Sequence, residues 1–512
     1  MAPSKRQECV GVSESTGLTD ACRAERPERP CGGARTRLVG WAHGAWPELA
    51  VSLWAGVLLL SSSGCDKGDA ATSTAAPSAT HNKPLPARKA LKMACRETKA
   101  GARFLVGEVG EQKKLESDGA ASIDLPFAVE VGSAVATSDA FALSALKGHQ
   151  ALVAMVSKEG GQGSELQLDE VHGDVEPPKL ASDGDRLVAA VVGNDAGSNT
   201  LTLVAVQRAA GENALTRGGS IEKGRDGSNA FDIALGEAGG LLVWDRWDKA
   251  KGHGIIEALP FDPTTLDPKR AQAALDLAGD DAETPRVVRR PGGFWLVWVS
   301  HGAPEALAPV RPTRGTGAQQ LTPARPVQGG LPEVDGDVTS VIDVTPRRLK
   351  VAPVDAYGAP TAQPTMITPK DSHVLAYDAL AVGGGLLLAW RDDPTTLGVE
   401  APKVHVADVR IDGSVTVQVV EDQRLRAGTP RLFLDARAKQ PARPWLSLIG
   451  EEGRPLLGYF EGRAALAGPL QEVSGLGLGE PLAMADGRLV LARPNGRALD
   501  IIVVGCELKA AR

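Results

Sequence analysis

Residues 285–299 read PRVVRRPGGFWLVWV, and the fold follows from how that stretch is built. Proline comes first, where a strand tolerates it, since it cannot donate to a ladder from the strand's middle. Arg286-Val287-Val288 then forms a short strand, Pro291-Gly292-Gly293 a turn, and Phe294 to Val299 a continuous apolar strand. Gly-Gly between two such runs signals a hairpin, because tight turns need a positive φ that glycine adopts without strain. The same unit is written elsewhere. Pro178-Lys179-Leu180-Ala181, Pro430-Arg431-Leu432-Phe433 and Pro481-Leu482-Ala483-Met484 open it. Ser182-Asp183-Gly184-Asp185, Gly383-Gly384-Gly385 and Ala485-Asp486-Gly487 turn it. Leu187 to Val192, Leu241 to Trp244, Leu386 to Trp390, Trp445 to Ile449 and Leu489 to Ala492 supply the apolar strand. After a polar loop an alternating strand closes the unit, as in Thr200–Val206, Val404–Val409 and Asp500–Val504.

Units begin near residues 140, 178, 230, 285, 332, 377, 430 and 481. After the first short step the spacing is about 45–55 residues, that of four-stranded propeller blades. The expected fold is therefore all-β, a β-propeller of about seven blades with six or eight as alternatives. The units near 230 and 377 lack the opening proline, and the one near 332 keeps only its proline. A lone four-stranded sheet exposes two apolar faces, and stacking its neighbours around an axis buries both. One short helix is expected at 267–277, where Asp267 suits a cap and Pro268 the first turn. Over roughly residues 100–506 the pattern resembles the secreted bacterial propellers that include TolB-like and sialidase-like domains. Sialidases carry Ser-x-Asp-x-Gly-x-x-Trp boxes, and this sequence has no true copy.

Ahead of the repeat lies an address. Leu49 to Leu60 (LAVSLWAGVLLL) is a 12-residue apolar run followed by Ser61-Ser62-Ser63-Gly64-Cys65. A bilayer-spanning helix needs about 20 apolar residues, whereas this run has the length of a signal-peptide core and follows Arg35 and Arg37. Ser63-Gly64-Cys65 resembles the lipobox of bacterial lipoproteins, with Ser62 where that family usually has Leu. The resemblance implies cleavage before Cys65 and lipidation of its thiol, whose acyl chains hold the protein to a bilayer. A core strand, or cleavage nearby by ordinary signal peptidase, are the alternatives. Residues 66–90 are Ala, Ser, Thr, Pro and Lys with almost no large apolar side chain, the composition of a disordered tether. The expected organisation is a removed signal region at 1–64, a lipid-anchored tether at 65–94 and a propeller at 95–508. The charged, aperiodic stretch 1–34 is absent from the mature protein in either case, whether it is a long n-region or precedes the biological start.

Of six cysteines, Cys9, Cys22 and Cys31 fall in the removed segment and Cys65 takes the lipid. Cys95 and Cys506 remain, one at each end of the body. In an exported, oxidising compartment such a pair reads as a disulfide, with two unpaired thiols as the alternative. A first strand from 102–135 completing the last blade would bring them together. The bond would constrain some 400 residues and add roughly 5 kcal/mol, less any strain.

A net charge of −7 and a pI near 5.8 argue against a nucleic-acid partner. There is no Gly-x-Ser-x-Gly elbow, His-Glu-x-x-His or P-loop, so no catalytic residue, metal or cofactor is assigned. The single His residues read as surface or satisfied groups, and Asp280-Asp281 and Asp335-Gly336-Asp337 as solvated loop acids or parts of calcium loops. All six Trp of the body, Trp244, Trp247, Trp295, Trp298, Trp390 and Trp445, fall in or just after second strands. They read as packing between blades. Alternatively Trp244, Asp245, Trp247, Asp248, Trp390 and Asp392, with Asp393, make a binding rim for sugars or basic groups. The expected function is a monomeric, membrane-anchored envelope module that binds or scaffolds an unidentified envelope protein or glycan. The alternative is a polysaccharide hydrolase or lyase with carboxylates in the funnel.

Overall fold

The computed structural model describes residues 91–97, 104–105 and most of 129–510. Within the last span the description omits residues 371 and 423 and the connections 160–162, 172–174, 196–197, 209–212, 225–229, 276–280, 302–345, 393–402, 426–428, 437–441, 451–453, 462–464, 473–478 and 496–497. Cys65, residues 66–90 of the tether, Asp393, Asp280, Pro332 and Asp335–Asp337 lie outside the described residues.

Two N-terminal strands, β1 (Leu91–Glu97) and β2 (Phe104–Leu105), come first. Blade 1 is β3 (Val129–Ala136), β4 (Ala140–Lys147), β5 (Gln150–Ser157) and β6 (Ser164–Glu170). Blade 2 is β7 (Lys179–Ser182), β8 (Leu187–Asp195), β9 (Ser198–Arg208) and β10 (Asn213–Gly224). Blade 3 is β11 (Phe231–Gly236), β12 (Gly239–Asp248), β13 (His253–Phe261) and the short β14 (Ala273–Ala274). Blade 4 is β15 (Asp281–Arg290), β16 (Gly293–His301), β17 (Arg347–Asp355) and β18 (Thr365–Met366). Blade 5 is β19 (Val374–Val382), β20 (Gly385–Asp392), β21 (Lys403–Val409) and β22 (Val415–Val420). Blade 6 is β23 (Arg431–Asp435), β24 (Arg443–Ile449) and β25 (Pro455–Glu461), with β26 (Ala465–Leu466) and β27 (Gln471–Glu472) both pairing β25. Blade 7 is β28 (Glu480–Ala485), β29 (Arg488–Asn495) and β30 (Ala498–Ala510), completed on its outer side by β1 and β2.

Every blade is an antiparallel meander. The inner strands β3, β7, β11, β15, β19, β23 and β28 each touch the next, and β28 returns to β3, so seven blades close a ring. The N-terminal strand β1 lies along β30 in a register that sets Cys95 opposite Cys506, and the two are disulfide-bonded across 411 residues. Between blades 1 and 7 two ion pairs add to the seam, Lys158–Asp486 at 2.8 Å and Arg488–Glu159 at 2.6 Å.

Strand alternation explains how each blade serves two neighbours. On β16, Phe294, Leu296 and Trp298 pack toward blade 3, while Trp295, Val297 and Val299 pack toward blade 5. Further clusters join blades 5 and 6, 6 and 7, and 7 and 1. The remaining one spans blades 1, 2 and 3.

Four expectations need correction. Residues 347–355 and 365–366 are the outer half of blade 4, not an independent unit beginning at 332, because the long connection 302–345 displaces them from their hairpin. Blade 1 opens at Val129, and the strand expected near 140 is its second. No helix occupies the described residues 267–275. The Phe261–Pro268 bridge and the pairing of β14 with β13 recruit that segment to the sheet edge, and Leu266 takes φ 64° there. The ring is closed chiefly by 91–97 rather than 102–135; among the described residues of the latter, Phe104–Leu105 pairs with β30.

The β15–β16 turn tests glycine's role directly. A Cβ on Gly293 would strike the Val354 carbonyl and the Asp355 backbone, whereas Gly292, at φ 73°, faces open space. Gly293→Ala should cost about 1–3 kcal/mol or more through overpacking. Gly292→Ala should cost only the left-handed conformation, about 1–2 kcal/mol. Urea midpoints of the two variants check the order; equal midpoints would contradict the packing described.

Candidate functional site: a charged collar around the axis

An innermost strand has no neighbour on its axial side, so its inward N–H groups need other acceptors. The propeller supplies them by side chains reaching across from the preceding blade. Leu180 N donates to Ser133 Oγ at 2.6 Å, Val287 N to Asp232 Oδ2 at 2.8 Å and Leu432 N to Asp378 Oδ2 at 2.8 Å. In each case the residue just before the donor is basic: Lys179, Arg286 or Arg431. Blades 1, 3 and 5 thus contribute an acceptor, and blades 2, 4 and 6 a cation.

Charges alternate around the axis as a result. The Arg286 guanidinium lies 3.8 Å from Asp232, and Arg431 donates from Nε and Nη2 to Glu480 Oε1 of blade 7 at 2.8 and 2.6 Å. Lys179 reaches Glu176 at 3.1 Å and lies 5.9 Å over the Phe231 ring. Tyr377, beside Asp378, donates its hydroxyl to the Thr284 and Val297 carbonyls of blade 4. A ring of seven cannot alternate throughout, and the break falls at blade 1, where Ser133 stands in place of a carboxylate.

Enclosure sets the protonation tendencies. Burial holds the Asp232 carboxyl above the usual carboxylate range despite Arg286 beside it. Burial pulls Lys179 down and pushes Tyr377 up, so the phenol stays a donor. Burial also opposes the charge on Arg286, but Asp232 and Asp378 outweigh it and keep the guanidinium cationic. Arg286 stands apart in another respect. Its side chain keeps 30% of its surface accessible and makes no hydrogen bond among the described residues.

The residues named as a candidate rim are not assembled into one. Trp244 and Trp390 are 0% exposed, inside inter-blade clusters, and Trp390 stacks on His405 at 5.1 Å. Asp245 is buried against Lys223 at 3.3 Å and accepts the Thr284 N–H at 3.0 Å, so it ties blades 2, 3 and 4. Asp392 is buried and accepts the His373 N–H at 2.8 Å. Trp247 and Asp248 stay half-exposed at the end of β12, where Asp248 receives the Ala250 and Lys251 N–H groups, with backbone hydrogen bonding lowering its pKa. Burial removes any stacking face from Trp244 and Trp390, and the aromatic platform with them. Asp281 belongs to β15 and accepts the Gly254 N–H at 2.7 Å. No group of three or more metal-ligating side chains occurs among the described residues.

The collar had a signal in the sequence. Pro-Lys and Pro-Arg at 178–179, 285–286 and 430–431 alternate with Phe231-Asp232 and Tyr377-Asp378. A missing proline in blades 3 and 5 marks a substitution of charge and aromatic, hence a two-blade period laid over the one-blade repeat.

No protein-family model matches this chain, and no curated protein does. Solved structures do. The chain is similar to the Kuenenia stuttgartiensis hydrazine synthase, with 14% identity, TM-score 0.42, and coverage of 75% of this chain and 98% of that one. It is similar to the propeller domain of the trilobed protease from Pyrococcus furiosus, with 10% identity, TM-score 0.40, and 75% and 95% coverage. A third is an ulvan lyase representing a new family of polysaccharide lyase, with 9% identity, TM-score 0.44, and 74% and 96% coverage. The likeness is one of fold. At these identities and scores it carries nothing about activity.

Proposed function

We propose that this chain is a cell-envelope lipoprotein, exported and held to a membrane through lipidated Cys65, whose propeller is a non-enzymatic binding or scaffolding module. Its partner would be an envelope protein or glycan. The observation that carries the binding reading is the use made of the axial carboxylates. Asp232 and Asp378 each accept a main-chain N–H of the next blade, which fixes them as fasteners of the ring. A hydrolytic pair needs one carboxyl free to give a proton and a second free to attack or activate water. A net charge of −7 is consistent with a partner other than nucleic acid.

A second reading, a polysaccharide hydrolase or lyase, rests on Asp232 alone, whose raised carboxyl beside Arg286 is a property of general acids. On that reading Asp232→Asn would abolish turnover of envelope polysaccharide.

Two measurements test the principal reading. Cys65→Ala should move the protein from the membrane fraction to the soluble envelope fraction, because removal of the acyl chains removes the buried methylenes. Unchanged membrane fractionation would refute the anchor. Capture from envelope extracts by the full chain should retain a partner without consuming it, whereas polysaccharide cleavage by the captured material, lost on Asp232→Asn, would favour the enzyme.

A further inference from the structure

We propose that the collar binds a small zwitterion, with Arg286 taking the carboxylate and Asp378 the neighbouring ammonium group of an α-amino acid. This rests on the binding-module reading and gives it a ligand class. Three observations support it.

The first is the state of Arg286. A guanidinium offers five N–H donors in a planar fork suited to a carboxylate. Here the nearest acceptor, Asp232 Oδ1, is 3.8 Å away, beyond hydrogen-bond reach. Arg431 on the equivalent strand of blade 6 shows the contrast, since Glu480 takes it through two donors. With 30% of its side chain accessible, the guanidinium can be reached from outside, and an incoming carboxylate would take its donors in charge-assisted bonds.

The second is the rigidity of what flanks Arg286. Asp232 on one side and Asp378 on the other are fixed by the Val287 and Leu432 N–H groups. Asp378 also takes the Ala379 N–H on Oδ1 at 2.9 Å, and because it is half-exposed each oxygen keeps a lone pair for an incoming ammonium group. Held in place before any ligand arrives, these groups avoid the ordering cost that weakens binding.

The third is the balance of charge. Around the collar Asp232, Asp378, Glu176 and Glu480 face Lys179, Arg286 and Arg431, and burial moves Asp232 toward its neutral form. The collar is nearly neutral in sum but strongly dipolar from blade to blade. A simple anion that reached Arg286 would meet the Asp378 carboxylate, and a simple cation that reached Asp378 would meet Arg286. A ligand with both charges one carbon apart satisfies both sites and adds no net charge. That arrangement is an α-amino acid.

The test uses the purified full chain in detergent, titrated singly with the twenty proteinogenic α-amino acids and with acetate and methylammonium. Thermal unfolding and calorimetry are the readouts. At least one amino acid should bind and raise the unfolding temperature, while acetate and methylammonium at equal concentration should not. Arg286→Gln should weaken that binding by roughly tenfold or more. Should that variant fold poorly, Arg286→Lys keeps the charge but not the planar fork, and should also lose affinity. Asp378→Asn retains an oxygen for the Leu432 N–H but turns an NH2 toward the Ala379 N–H, so its unfolding temperature without ligand is measured alongside, and it should lose affinity for the ammonium group. The proposal is overturned if no amino acid binds, if acetate alone binds as well, or if Arg286→Lys and Asp378→Asn both bind as the parent does. None of those results would bear on membrane attachment or partner capture.

Discussion

Replacing both Cys95 and Cys506 by alanine is expected to lower the unfolding free energy by about 5 kcal/mol. The bond spans 411 residues, so cutting it restores nearly the full conformational freedom of the unfolded body. The folded state loses little, since both side chains are buried in the cluster shared by blades 6 and 7 and alanine keeps most of the backbone pairing of β1 with β30. Urea unfolding with and without reductant should show the wild-type midpoint falling to that of the double variant. Coincident midpoints before and after reduction would mean that the last blade is held by its ladder alone.

Trp298→Ala should cost about 3–5 kcal/mol. The indole is 0% exposed between blades 3 and 4, and the neighbours that would have to collapse into the gap are themselves strand residues fixed by pairing on both sides. Trp247→Ala, half-exposed at the end of β12, should lie within about 1 kcal/mol of wild type. Trp298→Phe makes a sharper comparison. The Nε1–H groups of Trp244, Trp295, Trp298, Trp390 and Trp445 have no hydrogen-bond partner among the described residues, so phenylalanine forfeits volume but no such hydrogen bond and should be much better tolerated than alanine. Denaturant midpoints followed by circular dichroism decide it, and a Trp298→Ala midpoint equal to that of Trp247→Ala would reject the packing role.

The repeat was readable because its grammar is local. Gly-Gly and Asp-Gly turns, opening prolines and continuous apolar second strands depend on residues a few places apart, and the hairpins at 290–293, 382–385 and 485–488 pair as those residues imply. The disulfide followed from elimination among six cysteines. What escaped depended on partners distant in sequence. β3, VEVGSAVA, is rich in small residues and lacks the continuous run of large apolar side chains that marks the second strands. β1, LKMACRE, looks like the end of a polar leader until β30 is beside it. Blade 4 was misdivided because residues 302–345 separate strands that pair residue for residue, Ser300 with Arg348 and His301 with Arg347. The collar was hidden for a related reason. Asp232 and Arg286 are 54 positions apart, and the stacking of blade 4 on blade 3 makes them neighbours.

The way β1 is fastened decides what happens when the chain is pulled from its N-terminal side. Antiparallel pairing starts at Leu91 opposite Ala510 and runs inward, so tension ahead of Leu91 loads the ladder one rung at a time, like a strip peeled from its end. Four rungs, Leu91 to Ala94, can give way before the load reaches Cys95. There a covalent link takes the force and hands it to β30, which lies between β1 and β29 rather than at the margin of the sheet. A body moored by its leading end would therefore yield by a few residues of slack and then hold, for as long as the sulfur–sulfur bond survives.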